Sequence, residues 1–159
     1  MTSVAQWVEV HRLAVAGREA GIARDVGGRV GWVWLARSRF ADAARLAGLT
    51  LTLGENALAL YQLGWAKTAT GNPSAALAAY GQALPILQEV GDRAGQAVTR
   101  YNVAMIHRAE GELGRAVAEL EEVVELDRQV SHPDLQVDTE MLHRVRQELA
   151  SSDPGRGPR

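Results

Sequence analysis

A pattern that returns after forty residues constrains this chain more than any other feature of its sequence. Residues 60–65 align with residues 100–105, and both segments carry Tyr as the second residue. An earlier copy lies 33 residues upstream, where Gly31-Trp32 matches Gly64-Trp65. The other pairs forty residues apart are Gly71 and Gly111, Ala76 and Ala116, Leu77 and Val117, Tyr80 and Leu120, Ala83 and Val123, and Gly91 and Ser131. The spacing predicts stacked copies of one small structural unit.

Each copy is predicted to contain two helices. Apolar residues in three- and four-residue steps, such as Leu60 and Gly64, form one helical stripe. The segment 71–73, Gly-Asn-Pro, then interrupts the helix and starts the next one. We expect Gly64 to face Ala76, which would let two helix backbones approach closely. Pro85 should kink the second helix because it removes one backbone hydrogen bond.

The sequence predicts eight helices, near residues 4–20, 22–36, 39–53, 55–70, 73–90, 92–110, 113–130 and 133–149. They form three helix pairs, with a leading helix before them and a capping helix after them. The pair Gly27-Gly28 weakens the expectation for the second helix, and Ser131 is expected to cap the start of the last one. Residues 1–150 should therefore be one helical repeat domain, followed by a disordered tail at 151–159.

These residues resemble the tetratricopeptide repeat. The second copy supplies Leu60, Leu63-Gly64, Ala76 and Tyr80 of that family's pattern, although Lys67 stands where an aromatic is expected. The forty-residue spacing and the linker at 91–97 look like the kinesin-light-chain-like subclass, which is common in bacterial regulators. The resemblance implies an all-α solenoid, an α-α superhelix whose first helices line a concave groove that binds a peptide or a partner protein.

Helical phase assigns nine residues to this groove. They are Arg29 and Trp32 in the first pair, Tyr61, Gln62 and Trp65 in the second, and Tyr101, Asn102, Met105 and Arg108 in the third. The alternative is that the Trp and Tyr residues belong to the core between repeats.

The chemistry of this set suits peptide recognition. The aromatic side chains offer large apolar contacts with a polar tip. Gln62 and Asn102 can donate to and accept from a peptide backbone. Arg29 and Arg108 can hold a carboxylate through paired hydrogen bonds. We expect the polar members to mark the groove best, because a polar side chain is costly to bury alone.

Composition excludes several other classes of protein and of site. The chain has no Cys, so it has no disulfide and no Cys-based zinc site. Its four His residues lack helical zinc spacings, and no cofactor motif is present. The net charge of −2 argues against nucleic acid as a partner. No secretory signal or membrane-length apolar run is visible, which favours a cytoplasmic location.

The sequence therefore predicts a protein–protein interaction module and not an enzyme. The alternative is a self-associating repeat domain, either on its own or as part of a larger transcriptional or signalling regulator. The leading helix supports self-association, because Val4, Trp7 and Leu13 place apolar side chains on more than one side. A homo-oligomer would bury such a surface. Residues 1–54 carry a surplus of basic residues and 111–150 a surplus of acidic ones, which suits head-to-tail contact.

Overall fold

The computed structural model describes residues 3–152, and regular structure in this range is entirely helical. The helices are α1 (Val4–Ala16), α2 (Ala20–Ala36), α3 (Phe40–Leu51), α4 (Ala57–Ala69), α5 (Pro73–Glu89), α6 (Arg93–Ala109), α7 (Leu113–Val130) and α8 (Leu135–Ser152). The all-α fold expected from the sequence is thus confirmed. Within the described residues, no helix combines the length and the apolarity needed to cross a membrane.

Most turns between helices share one backbone device. One residue adopts a left-handed conformation, and the N–H after it donates to the carbonyl five residues earlier, as in Asn72 N–H to Lys67 O at 2.9 Å and Glu112 N–H to His107 O at 2.8 Å. The left-handed residues of these turns are Arg18, Ser38, Gly71, Gly91, Gly111 and Ser131. The last four follow one another at intervals of twenty residues, which is half of the repeat seen in the sequence.

Two helix ends differ from expectation because of these turns. Helix α1 stops at Ala16 because Arg18 takes a φ of 59°. Ser131 ends α7 with a φ of 51° and does not cap α8, which begins at Leu135. Residues 151 and 152 of the predicted tail continue α8, and residues 153–159 lie outside the described part of the chain.

The chain divides into two compact units, Met1–Ile86 and Leu87–Arg159. The division falls inside α5, directly after Pro85-Ile86, and α5 continues through Pro85 to Glu89. The apolar core of the first unit includes Val26, Val30, Trp34, Leu35, Ala43, Leu46 and Ala66.

Glycines inside α2 allow neighbouring helices to approach it closely. A Cβ added at Gly27 would lie 2.7 Å from Thr50 Oγ1 of α3, and a Cβ at Gly28 would lie 2.7 Å from Leu58 Cδ2 of α4. These distances are too short for any larger residue without a shift of the neighbour. The helix-weakening pair Gly27-Gly28 is therefore retained within a helix because packing outweighs its cost of about 1 kcal/mol per Gly.

The second unit repeats the arrangement with different side chains. Its core combines α6, α7 and α8 through Ala104, Ala116, Leu120, Val124, Leu142 and Val145. Ala76 of the first unit and Ala116 of the second are both fully buried, and so are Tyr80 and Leu120. The two residues of each of these pairs are thus equally buried, as the repeat predicts.

Candidate functional site

Three aromatic side chains of the first unit form one continuous cluster. Trp32 of α2 and Trp65 of α4 meet edge to face, with ring centroids 5.5 Å apart. Tyr61 of α4 lies 5.9 Å from the Trp32 ring and 6.4 Å from the Trp65 ring. Tilted and edge-on contacts of this kind are the favoured geometries for aromatic pairs. We call Trp32, Tyr61 and Trp65 the aromatic patch.

The aromatic patch is part of the surface. Trp32 is 41% exposed and Trp65 is 38% exposed, whereas Trp34 on the same helix is buried in the core. Tyr61 is half-buried, and its ring also contacts the buried ring of Tyr80 at 5.8 Å. The inner edge of the patch, at Tyr61, therefore packs on the core, whereas its outer face, formed by Trp32 and Trp65, is exposed and can contact a partner.

Close packing of α2 on α4 brings the patch together. A Cβ added at Gly31 would lie 2.7 Å from Cδ of Gln62, so Gly31 is a point of near contact between the two helices. Trp32 follows Gly31 directly, and Trp65 lies one helical turn beyond Gln62. The 33-residue offset between the Trp residues in the sequence therefore corresponds to a direct contact in space.

Gln62 corrects the sequence prediction. Its side chain is only 2% exposed, and its Nε2 donates to the Gly28 carbonyl at 2.8 Å. The prediction assumed that an amide is too costly to bury. That cost is offset here because a helix carbonyl of the neighbouring element accepts the hydrogen bond. Gln62 thus joins α2 to α4 and does not face a groove.

Arg29 lies on the exposed surface of α2, one turn before Trp32 in the sequence. Its Nε is 3.2 Å from Asp25 Oδ1, in an ion pair within the same helix. Exposed pairs of this type contribute little to stability, because water screens the charges. The guanidinium can therefore exchange Asp25 for another carboxylate at low cost.

The groove residues predicted on α6 make contacts within the second unit. Tyr101 and Met105 are half-buried and pack against the core cluster that holds Leu142 and Val145. Asn102 Nδ2 donates to the Val98 carbonyl of its own helix at 3.1 Å. Tyr101 and Met105 thus contribute to the packing of the second unit, and the assignment of the three residues to a groove stays a prediction.

Arg108 already holds a carboxylate of its own chain. Its Nε donates to Glu148 Oε2 at 2.9 Å and its Nη2 to Glu148 Oε1 at 2.5 Å. The paired bonds also hold the pKa of Glu148 below its usual value. Arg108 and Glu148 are forty residues apart, so this contact joins equivalent positions of successive first helices. The predicted carboxylate chemistry is present, but Glu148 supplies the carboxylate.

A buried carboxylate between α7 and α8 was missed by the sequence analysis. Asp127 is 1% exposed, and its Oδ2 has no hydrogen-bond partner among the described residues. Burial, followed by the neighbouring Asp127, raises the pKa of Asp138 to about 7. His132 Nδ1 lies 3.8 Å from Asp127 Oδ1. The available signal was the repeat itself, because Asp127 aligns with the apolar Leu87 forty residues earlier.

Comparison with known protein families agrees with this architecture. The family model of the tetratricopeptide repeat matches residues 55–129, which run from just before α4 nearly to the end of α7. A comparison with curated protein sequences found no match. Repeats of this family generally mediate protein–protein interaction. Residues 55–129 of the chain are therefore similar to tetratricopeptide repeats.

Proposed function

We propose that this chain is a protein-interaction module whose aromatic patch binds a segment of a partner protein. The observation that carries the proposal is the partial exposure of two Trp side chains, 41% for Trp32 and 38% for Trp65, within one cluster of rings. Trp and Tyr contribute more binding energy than most residues at protein interfaces, because they bury a large area with few rotatable bonds.

The chemistry around the patch suggests what the partner segment contains. The rings offer an apolar contact, and Arg29, one turn away along α2, offers an exposed guanidinium. An extended or helical segment with an apolar side chain next to an acidic one would satisfy both. The proposed interface is thus confined to Arg29, Trp32, Tyr61 and Trp65, with Gln62 as structural support.

A peptide library screened against the intact chain provides the test. Selected peptides would then be titrated by calorimetry against the wild-type chain and against Trp65→Ala. Loss of this side chain should weaken binding at least about tenfold, or about 1.4 kcal/mol, as expected for an aromatic anchor. Circular dichroism would confirm that the variant keeps its helices.

Leu49→Ala is the matched control. Leu49 lies on α3 in the same unit and is 41% exposed, like Trp32, but it does not belong to the patch. Binding by this variant should stay within about twofold of wild type, since surface substitutions outside an interface have small effects. If the two variants lose affinity equally, or if no selected peptide depends on Trp65, the proposal is wrong.

Self-association is a second candidate function. Helix α1 buries Val4, Trp7 and Val8 partly against the core of its own unit, but Leu13 remains 55% exposed, and Ile22 at the start of α2 is 50% exposed. These two side chains near the α1–α2 turn favour contact with a second copy. Light scattering over a range of concentrations tests this candidate, and Leu13→Ser should abolish any concentration-dependent increase in mass.

We also propose membership of the longer, kinesin-light-chain-like class of repeats. The left-handed residues Gly71, Gly91, Gly111 and Ser131 support it, because each helix with its turn then occupies twenty residues. The corresponding pair of helices spans forty residues, compared with 34 in the ordinary repeat.

A further inference from the structure

We propose that the α6–α7 turn is a binding site for a borderline divalent cation such as Zn²⁺, held by His107, Glu110 and Glu112. Each residue can supply one ligand atom, and these atoms all lie within 4.8 Å of one another. No other group of three such residues meets this condition in the part of the chain that the structure describes.

The backbone of the turn holds the three residues in place. The Glu112 N–H donates to the His107 carbonyl at 2.8 Å, and the Glu110 N–H donates to the Ile106 carbonyl at 3.0 Å. Gly111, between the two Glu residues, has a φ of 78°, which Gly adopts without strain. Because the turn is fixed by its own hydrogen bonds, binding a cation would require little ordering of the backbone.

The side chains are already close to the arrangement that a metal ion needs. His107 Nδ1 lies 2.6 Å from Glu112 Oε2, and most of the imidazole surface is buried. Ligand atoms about 2.1 Å from a tetrahedral Zn²⁺ are about 3.4 Å from one another. The His107–Glu112 pair must therefore open by less than about 1 Å. The Glu110 carboxylate lies within 4.8 Å of the other two ligand atoms and is exposed, so it has room to approach the same point.

The donor atoms favour a borderline cation. One imidazole nitrogen and two carboxylate oxygens suit Zn²⁺ and its neighbours in the first transition series, whereas Mg²⁺ and Ca²⁺ prefer oxygen ligands alone. Two carboxylates also supply the negative charge that compensates a divalent ion. The remaining coordination positions would be filled by water on the exposed side of Glu110.

Comparison with the equivalent turns shows that the repeat does not dictate this set of residues. The residues four before, one before and one after the left-handed residue are Lys67, Thr70 and Asn72 at Gly71, Leu87, Val90 and Asp92 at Gly91, and Asp127, Val130 and His132 at Ser131. The turn at Gly111 alone among these four carries three potential ligands. The same backbone turn thus forms at the other three positions without this set of three potential ligands.

Arg115 competes with a metal ion for the carboxylate of Glu112. Its Nη1 lies 3.1 Å from both carboxylate oxygens of Glu112. Removing the Arg115 guanidinium should leave the Glu112 carboxylate more available to a metal ion. Arg115→Gln is therefore expected to tighten metal binding, in the opposite direction from a change to any ligand.

Calorimetric titration of the intact, tag-free chain with zinc chloride tests the proposal. One equivalent should bind, and the imidazole resonances of His107 should shift in the NMR spectrum. Glu110→Gln should weaken binding at least about tenfold, since losing a ligand costs no less than losing its supporting partners. Glu110 is exposed, so this variant should keep its fold.

Two further variants decide between this site and general attraction to acidic residues. Glu89→Gln removes the same charge just before the equivalent turn at Gly91 and should leave the affinity unchanged, whereas Arg115→Gln should increase it. The proposal is overturned if no saturable binding occurs below about 1 mM zinc, the weakest affinity of interest. Equal affinities of Glu110→Gln and the wild-type chain would overturn it as well.

Discussion

The ring of Tyr80 covers Gly64 so closely that a Cβ added at Gly64 would lie 2.5 Å from Tyr80 Cε1. The sequence predicts Ala76 as the neighbour of Gly64. Ala76 is buried, but the three atoms nearest to a Cβ added at Gly64 all belong to Tyr80. In the second unit, Ala104 and Leu120 occupy the equivalent positions forty residues later, and both are fully buried. The first unit thus combines the smallest residue, Gly64, with the large ring of Tyr80, whereas the second unit combines two side chains of intermediate size, Ala104 and Leu120.

Gly64→Ala is predicted to destabilise the chain, although Ala is the better helix former by about 1 kcal/mol. The added methyl group would displace the Tyr80 ring, and such overpacking costs about 1–3 kcal/mol. We expect a net loss of about 1 kcal/mol in the free energy of unfolding, measured by urea denaturation.

The double variant Gly64→Ala/Tyr80→Leu reproduces the Ala104–Leu120 pair and serves as the control. It should be more stable than the sum of the two single changes predicts, because the smaller Leu relieves the clash. Additive effects of the two substitutions would contradict the contact described here.

Ser131→Gly is predicted to stabilise the chain by about 0.5–1 kcal/mol. Ser131 has a φ of 51°, a region that costs residues with a Cβ more than it costs Gly. Thermal unfolding should show a higher midpoint for this variant.

Gly111→Ala provides the reverse experiment at the equivalent type of turn. No atom lies within 4 Å of a Cβ added there, so any loss reflects the φ of 78° alone. We expect a loss of about 1–2 kcal/mol. If both substitutions changed stability in the same direction, the backbone explanation for these turns would fail.

The architecture could be predicted from the sequence because it depends on properties that the sequence shows directly. Gly71 and Gly111 stop helices by their own conformational freedom, and apolar periodicity marks the faces that pack. The helix limits found in the structure therefore differ little from the predicted ones, apart from the ends near Arg18 and Ser131, where residues with a Cβ adopt the conformation that was expected of Gly.

The candidate site was harder to predict, because its members depend on which side chains meet between helices. Helical phase predicts Gln62 in the groove, and its polarity makes it an expected marker of the groove, but the backbone carbonyl of Gly28 accepts its hydrogen bond inside the unit. Helical phase also predicts Arg108 in the groove, where it would bind a carboxylate of a partner, but its guanidinium binds the carboxylate of Glu148. Helical phase predicts the face of a helix on which a residue lies, but it does not identify the partner of that residue on the next helix.

The Asp127–Asp138 pair predicts an unusual dependence of stability on pH. Burial and the neighbouring Asp127 raise the pKa of Asp138 from 3.8 to about 7. The native state therefore keeps a proton that the unfolded chain releases at lower pH. This contribution to stability is complete below about pH 4 and is lost as the pH rises toward about 7. A proton on Asp138 also supplies the donor that buried Asp127 otherwise lacks.

Asp138→Asn should remove this loss, because the Asn amide donates permanently to Asp127 and carries no charge. We expect the variant to be more stable than wild type at pH 8, by on the order of 1 kcal/mol after allowance for solvent screening, with a smaller difference at pH 4. Urea denaturation at both pH values measures this.

The groups that face the Asp127–Asp138 pair are His132, Asp134 and, on α6, Tyr101. Glu140→Gln removes one charge from an exposed position of the same helix and is the control. It should leave the pH profile of stability unchanged. A stabilisation at pH 8 that this control reproduced would show that net charge, and not the buried pair, is responsible.

The Arg108–Glu148 contact predicts that Arg108 supports the second unit instead of binding a partner. Its side chain joins α6 to α8 through two hydrogen bonds to one carboxylate. Arg108→Met and Glu148→Gln should each lower the free energy of unfolding, and the double variant should lose less than the sum of the two. Because both groups are partly exposed, 1 M salt should reduce the coupling between them.

Binding measurements with the same variants separate the two roles of Arg108. If Glu148 is its partner, Arg108→Met should leave the affinity for a selected peptide within about twofold of wild type, while stability falls. Glu148→Gln frees the guanidinium, so this variant shows what an unpaired Arg108 can bind. A loss of peptide affinity in Arg108→Met with unchanged stability would instead place Arg108 in the interface, since a groove residue contributes to binding and not to the packing of α8.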